Sequence, residues 1–313
     1  MEPLDPQIAA ALEWQRVNPG PTMETTGLDV MRVAYDEAAD LLDPNPPAMR
    51  AIEALELVGG PRPIAGRLFT PHDCVDSEAL LVWLHGGGWV QGGLRSHDAA
   101  YRRLAASSGI RVLGVEYSLA PEFPFPAGLL DVEASMQWVL DHHLDLNADP
   151  TKIGLGGDSS GASLALVAGL ELAREGSKLA MQVLLYPSLG PELKTDSLHD
   201  FGDGYGLTAK QMEQFFRYYL VPGQNHADPR VSPLLTPDFH EAPLTVIAVA
   251  GYDPLRDEGL ALSGLLEGSG VRVELIDEVT LTHGFLRMSG ISDAARDAVE
   301  HVGAAIRRNL VGR

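Results

Sequence analysis

A succession of short apolar runs, separated by segments with helical periodicity, constrains this chain more than any other feature. The runs are Ile64–Phe69, Leu80–Leu84, Val112–Glu116, Ile153–Gly156, Val183–Tyr186, Leu244–Ala250 and Val271–Ile276. Helical candidates fall between and after them, at His97–Ser107, Ala127–His142, Ser160–Arg174, Arg256–Leu266 and Asp293–Arg308. In the last of these Val299, Val302, Ile306 and Leu310 share one face, as a helix lying on a core requires. Uninterrupted apolar runs need cover on both faces, so the expected fold class is α/β: a mostly parallel central sheet with crossover helices on either side. At 313 residues the chain has length for one large or two modest domains.

Two segments break the alternation. In the first fifty residues Leu28, Met31, Tyr35, Ala38 and Leu42 recur at intervals of three and four, ending before the Pro-rich Asp43–Pro47. That spacing predicts an amphipathic helix whose stripe is a packing face. Between Gly190 and about Asp238, Gly, Pro, Tyr and Phe crowd around a short helical pattern at Thr208–Leu220. A connection that long in a compact sheet domain reads as a lid or binding loop.

Composition excludes several partners. Apolar residues make up 45% of the chain and charged residues 21%, the mix of an ordinary globular protein rather than a disordered one. The longest apolar stretches, Ala79–Leu84 and Leu244–Ala250, fall far below the roughly 20 residues of a membrane helix, so no membrane partner is expected. The formal charge of −20 repels phosphate backbones and argues against nucleic acid. The single cysteine, Cys74, has no partner for an internal disulfide. The opening MEPLDPQIAAALEW lacks the basic flank and apolar core of a secretory signal, and the cytoplasm is the expected compartment.

The chemistry-bearing residues gather in a few motifs. Gly157-Asp158-Ser159-Ser160-Gly161 follows one apolar run and opens a helical pattern. G-x-S-x-G in a strand–turn–helix context presents its serine as a nucleophile on a sharp, strained turn. His85-Gly86-Gly87-Gly88-Trp89 follows the run Leu80–Leu84; its glycines let backbone N–H groups approach a developing oxyanion, while His85 shapes the loop. A serine nucleophile needs a base and the base an orienter, both following it in the order serine, acid, histidine. Of the later histidines, His199, His226 and His240 lie in or beside the inserted segment and His301 inside the terminal helix. His283 sits in a loop past Val271–Ile276 and is the expected base. Asp253, Asp257, Glu258 and Asp277 are the candidate acids. Asp253 is favoured because it projects from the end of Leu244–Ala250, whereas Asp257 and Glu258 suit the first turn of a helix.

Taken together these motifs resemble those of the hormone-sensitive-lipase-like family of α/β-hydrolase carboxylesterases. The resemblance runs from about Arg62 onward, through His85–Trp89, the Y-x-L-A-P-E stretch Tyr117–Glu122, the Gly157–Gly161 turn, Asp253–Gly259 and His283–Phe285. It implies Ser159 as nucleophile, His283 as base and Asp253 as orienter, with an oxyanion hole at the N–H groups of Gly87, Gly88 and Ser160. It also implies a helical cap, suiting residues 1–50 and an insertion at about 190–222 of a catalytic domain spanning 51–313. Two departures stand out: Ser160-Gly161-Ala162 replaces Ala-Gly-Gly, and Glu116 stands where the strand before the tyrosine often ends in Asp. Trp89, Leu207, Phe215 and Tyr219 are the expected apolar walls of a substrate pocket.

The function implied is hydrolysis of short-chain or aryl carboxylic esters through an acyl-enzyme. The small-molecule ester is the expected partner, no metal or organic cofactor is expected, and the resemblance is compatible with a homodimer. Amide hydrolysis or deacetylation by the same triad, and a non-enzymatic receptor on the same fold, are the competing readings.

Overall fold

The computed structural model describes residues 2–58, 62–191 and 194–312, apart from the side chains of Met23 and Glu24. Residues 192–193 of the expected insertion therefore lie outside the described residues, as do the terminal residues 1 and 313 of the two expected domains and residues 59–61. The strands are β1 (Met49–Leu57), β2 (Ile64–Pro71), β3 (Leu80–Leu84), β4 (Arg111–Val115), β5 (Ile153–Asp158), β6 (Met181–Leu185), β7 (Thr245–Tyr252) and β8 (Val273–Thr282). The helices are α1 (Pro6–Val17), α2 (Met23–Thr26), α3 (Leu28–Leu42), α4 (Asp98–Ser108), α5 (Ala127–Asp141), α6 (Ser160–Arg174), α7 (Asp196–Phe201), α8 (Ala209–Tyr219), α9 (Arg256–Gly268) and α10 (Asp293–Leu310).

The strands form one eight-stranded sheet in the order β1-β2-β4-β3-β5-β6-β7-β8. Pairing is parallel from β4 through β8, and β2 runs antiparallel to both its neighbours. Strands β3 to β6 are buried along their whole length, and successive residues point to opposite faces. Leu80, Val82 and Leu84 thus join a core with Leu129 and Met136 of α5, Leu164 of α6 and Leu262 of α9. Leu81 and Trp83 join another with Tyr101 and Leu104 of α4 and Val299, Val302 and Ile306 of α10. Covering both faces is what makes such strands read as unbroken apolar runs.

Two strands depart from the sequence reading. β1 was not expected, and β8 extends to Thr282, well past the expected end at Ile276. Both are edge strands, half-exposed and charged, with β1 reading MRAIEALEL and β8 VELIDEVTLT. An edge strand has one partner and needs only one apolar face, so its hydrophobic signal is weak. Among the described residues no helix is long and apolar enough to cross a membrane.

Candidate active site

The strand order reverses at β3, which pairs with β4 on one side and β5 on the other. Loops leaving the carboxyl ends of strands at such a switch point face a common crevice. Here they are the His85–Trp89 loop after β3 and the turn at Ser159 after β5, joined by loops carrying Asp253 after β7 and His283 after β8.

Ser159 adopts φ 55° and ψ −119° between β5 and α6. A non-glycine residue held there carries roughly 1–3 kcal/mol of strain. The turn is held by hydrogen bonds from the Ser159 N–H to the Leu185 carbonyl (2.9 Å) and from the Ser188 N–H to the Ser159 carbonyl (3.4 Å). It is also held by close approach of backbone to backbone. A Cβ on Gly161 would overlap the Leu84 carbonyl oxygen and lie 2.5 Å from that of His85, so the helix start rests directly on the end of β3. The glycines are required by collision with β3 as much as by contact between β5 and α6.

Ser159, half-buried, opens onto the crevice. Its Oγ lies 3.0 Å from His283 Nε2, and His283 Nδ1 lies 2.9 Å from Asp253 Oδ2. The Asp253 side chain is fully buried and that of His283 is 12% exposed; Asp253 Oδ1 accepts from the Leu255 N–H at 2.8 Å. The other carboxylates are occupied elsewhere. Asp257 accepts from the Ser197 N–H and from Arg256. Glu258 accepts from the Leu189 N–H, and burial pushes its carboxyl up to about 8. Asp277 is exposed on β8. His301 lies on α10 against Glu278, while His199 and His240 face Asp200 and Asp238.

Gly87, Gly88 and Ser160 line the same cavity as Ser159 and His283. Gly87 has φ 128° and Gly88 φ 62°, conformations that cost glycine little. Ser160 is the first residue of α6, where backbone N–H groups precede the helical ladder and remain available as donors. His85 is fully buried, stacked on Tyr117 at 4.2 Å. Burial pushes its imidazole down to about 3, so it shapes the loop as a neutral ring. Glu116, the residue departing from the family pattern, accepts from the Leu94 N–H at 2.7 Å and anchors the segment after the loop.

The cavity above these groups measures about 1000 Å³. Trp89, Leu207 and Phe215 are on its wall; Tyr219 is not. Tyr219 lies behind Trp89, stacked on its ring at 4.4 Å with an edge-on Phe125 at 5.7 Å, and supports the pocket from the core. The α3 stripe does more than pack: Leu28 and Met31 lie against the core, and Met31, Tyr35, Ala38 and Leu42 also face the cavity beside Ile8 and Leu12 of α1. Tyr186, also on the wall, meets the His283 ring edge-on at 4.7 Å. Sequence reasoning passed over these residues because a cavity-facing apolar stripe and a core-facing one have the same periodicity. Among the described residues no cluster of three or more His, Cys, Asp or Glu could hold a metal ion.

Residues 81–287 match the α/β-hydrolase fold family. The chain is 36% identical over 271 residues to esterase LipI of Mycobacterium tuberculosis, a match covering 85% of this chain and 84% of that protein. The chain belongs to the hormone-sensitive-lipase-like family of α/β-hydrolase carboxylesterases. Within that family it is 32% identical to ethyl acetate hydrolase of Pseudomonas putida, across 98% of this chain and 99% of that one. It also superposes, with a TM-score of 0.93, on a Lake Arreo metagenome ester hydrolase solved with a bipyridine phosphonate derivative. The two are 30% identical, with 97% of this chain and 98% of that one covered.

Proposed function

We propose that this protein hydrolyses short-chain and aryl carboxylic esters through an acyl-enzyme on Ser159. Family membership supplies the reaction class, carboxylic ester hydrolysis; the residues and substrates are inferred from the site. The observation that carries the reading is the continuous chain Ser159 Oγ, His283 Nε2, His283 Nδ1, Asp253 Oδ2, with contacts of 3.0 and 2.9 Å, opening onto an apolar cavity.

His283 takes the hydroxyl proton as Ser159 attacks the ester carbonyl, and then delivers it to the leaving alkoxide. Asp253 holds the ring and stabilises the imidazolium while itself staying ionised. The Gly87, Gly88 and Ser160 N–H groups receive the oxyanion, a donor of this kind being worth about 2.7–4 kcal/mol. Water enters by the same route and frees the acid. Among the described residues, α1, α3 and α8 act as the cap over the site. A cavity of about 1000 Å³ is at the upper end for small ligands, roomy enough for an aryl leaving group. The name ethyl acetate hydrolase, carried by a relative that aligns end to end, supports the short acyl side.

The test is a chromogenic short-chain ester assayed with wild type beside Ser159→Ala. Loss of a triad nucleophile lowers kcat by about 10⁴ to 10⁶. Equal activity in the two proteins would end the proposal. Faster turnover of matched anilides than of esters would turn it toward an amidase, and absence of turnover in wild type toward a receptor.

A further inference from the structure

Asp158 precedes Ser159, and its side chain is almost completely buried without serving the proton chain described above. Its Oδ1 accepts from the Gly86 N–H at 3.1 Å and from the Trp83 indole N–H at 3.2 Å. Its Oδ2 faces His97 Nε2 at 3.4 Å. These three partners come from the loop supplying the Gly87 and Gly88 donors, from the strand β3 leading into it, and from the residue capping α4. A Cβ on Gly86 would lie 2.5 Å from Asp158 Oδ2 and 3.0 Å from the Asp158 carbonyl oxygen, so the loop is seated directly on the carboxyl group.

We infer that Asp158 is a positioning residue for the oxyanion hole: by holding the Gly86 N–H it sets where the next two amides point relative to Ser159. The inference rests on the proposed function and adds a residue to it. A buried carboxylate costs several kcal/mol unless compensated, and the hydrogen bonds Asp158 accepts come from two neutral donors, the Gly86 and Trp83 N–H groups, with the His97 ring close by. Burial pushes the His97 imidazole below its usual range. Burial also works against the Asp158 charge, but His97 and Trp83 outweigh it and keep the carboxyl below the ordinary carboxylate range. A charged acceptor makes hydrogen bonds roughly twice as strong as a neutral one. At Asp158 that strength falls on the peptide one residue before the hole, where a misplacement of about 1 Å can cost about 10²-fold in rate.

The experiment uses the full chain carrying Asp158→Asn, which keeps the shape and one acceptor oxygen, and His97→Gln, beside wild type and Ser159→Ala. Folding is followed by circular dichroism and thermal melting, turnover by a short-chain chromogenic ester, and the hole by affinity for a trifluoromethyl ketone analogue of the tetrahedral intermediate. In folded Asp158→Asn, kcat is expected to fall about 10- to 100-fold with KM within about threefold, and affinity for the ketone to weaken by the factor lost in kcat/KM. A kcat within twofold of wild type with unchanged ketone affinity overturns the inference, as does a fall in kcat matched by an equal rise in KM. If Asp158→Asn does not fold, His97→Gln decides: a fall of about 3- to 10-fold in kcat alone supports the inference, and an unchanged kcat overturns it. Activity surviving in Ser159→Ala would remove the underlying reading, whereas an inactive Ser159→Ala beside a normal Asp158→Asn removes this inference alone.

Discussion

At the floor of the cavity the backbone is packed tight: Gly161 rests on the Leu84 and His85 carbonyls, and Gly86 on the carbonyl and buried carboxyl of Asp158, with no room for a methyl group. At the roof, α1, α3 and α8 present Ile8, Met31, Tyr35 and Phe215 to the cavity, while α3 exposes Val30 and Val33, which do not line it. Positions on the floor are set by peptide geometry, which has few alternatives. Side chains fill the roof and can be exchanged for others of similar volume. The difference teaches that reaction and selectivity are separable here: one is a matter of backbone placement, the other of apolar shape.

Substitutions put that contrast to the test. The largest effect is expected for Asp253→Asn, which preserves shape yet leaves His283 without its carboxylate. The kcat on a short-chain ester should drop about 10⁴-fold with the melting curve still cooperative, and a loss below tenfold would break the contrast at the floor. Gly161→Ala comes next, as a stability effect. Its methyl group has only the β3 backbone to move, so denaturant titration should show a loss of about 3 kcal/mol or more, at the upper end of overpacking penalties. Stability within 1 kcal/mol of wild type would mean that the floor gives way as the roof does.

Phe215→Ala tests the roof. The Phe215 ring covers the space a Cβ on Gly88 would occupy, so truncation enlarges the cavity beside the Gly86–Gly88 loop. Turnover of acetyl esters should fall less than tenfold while preference shifts toward longer acyl chains, and an unchanged chain-length profile would remove Phe215 from the selectivity wall. Glu258→Gln separates stability from reaction. Burial raises this carboxyl from 4.5 to about 8, so the folded protein holds a proton that the unfolded chain releases above about 4.5. Stability from this group is complete below pH 4.5 and is lost as pH rises to about 8 and beyond. The Gln variant should therefore gain in melting temperature relative to wild type between pH 5 and 9, and a difference independent of pH would refute the assignment.

Much of this arrangement was legible before any coordinates. Runs such as Leu80–Leu84 and Ile153–Gly156 marked β3 and β5 because both faces of those strands are covered. β1 and the end of β8 escaped, since edge strands carry charges on an open face. At the site, Ser159 and His283 stood out by their motifs. Position favoured Asp253 over Asp257, Glu258 and Asp277, and the family resemblance made that choice firmer, because acids a few residues apart differ mainly in what they face. The motif assigns Asp158 no role, and Tyr219 reads as a wall residue, because neither motif nor aromatic content tells which neighbour a side chain meets.

The features readable from the residues alone are local: which segments bury both faces, where a strand must turn sharply into a helix, and which residues can serve as nucleophile and base. Hydrogen bonding and side-chain period along a few neighbouring residues suffice for that. Which side chains of an apolar stripe line a cavity, and that Asp158 underlies the Gly86–Gly88 loop, emerge from the tertiary structure alone. Those outcomes depend on the distance between segments tens of residues apart, and that distance exists only once the sheet has assembled and brought the ends of its strands together.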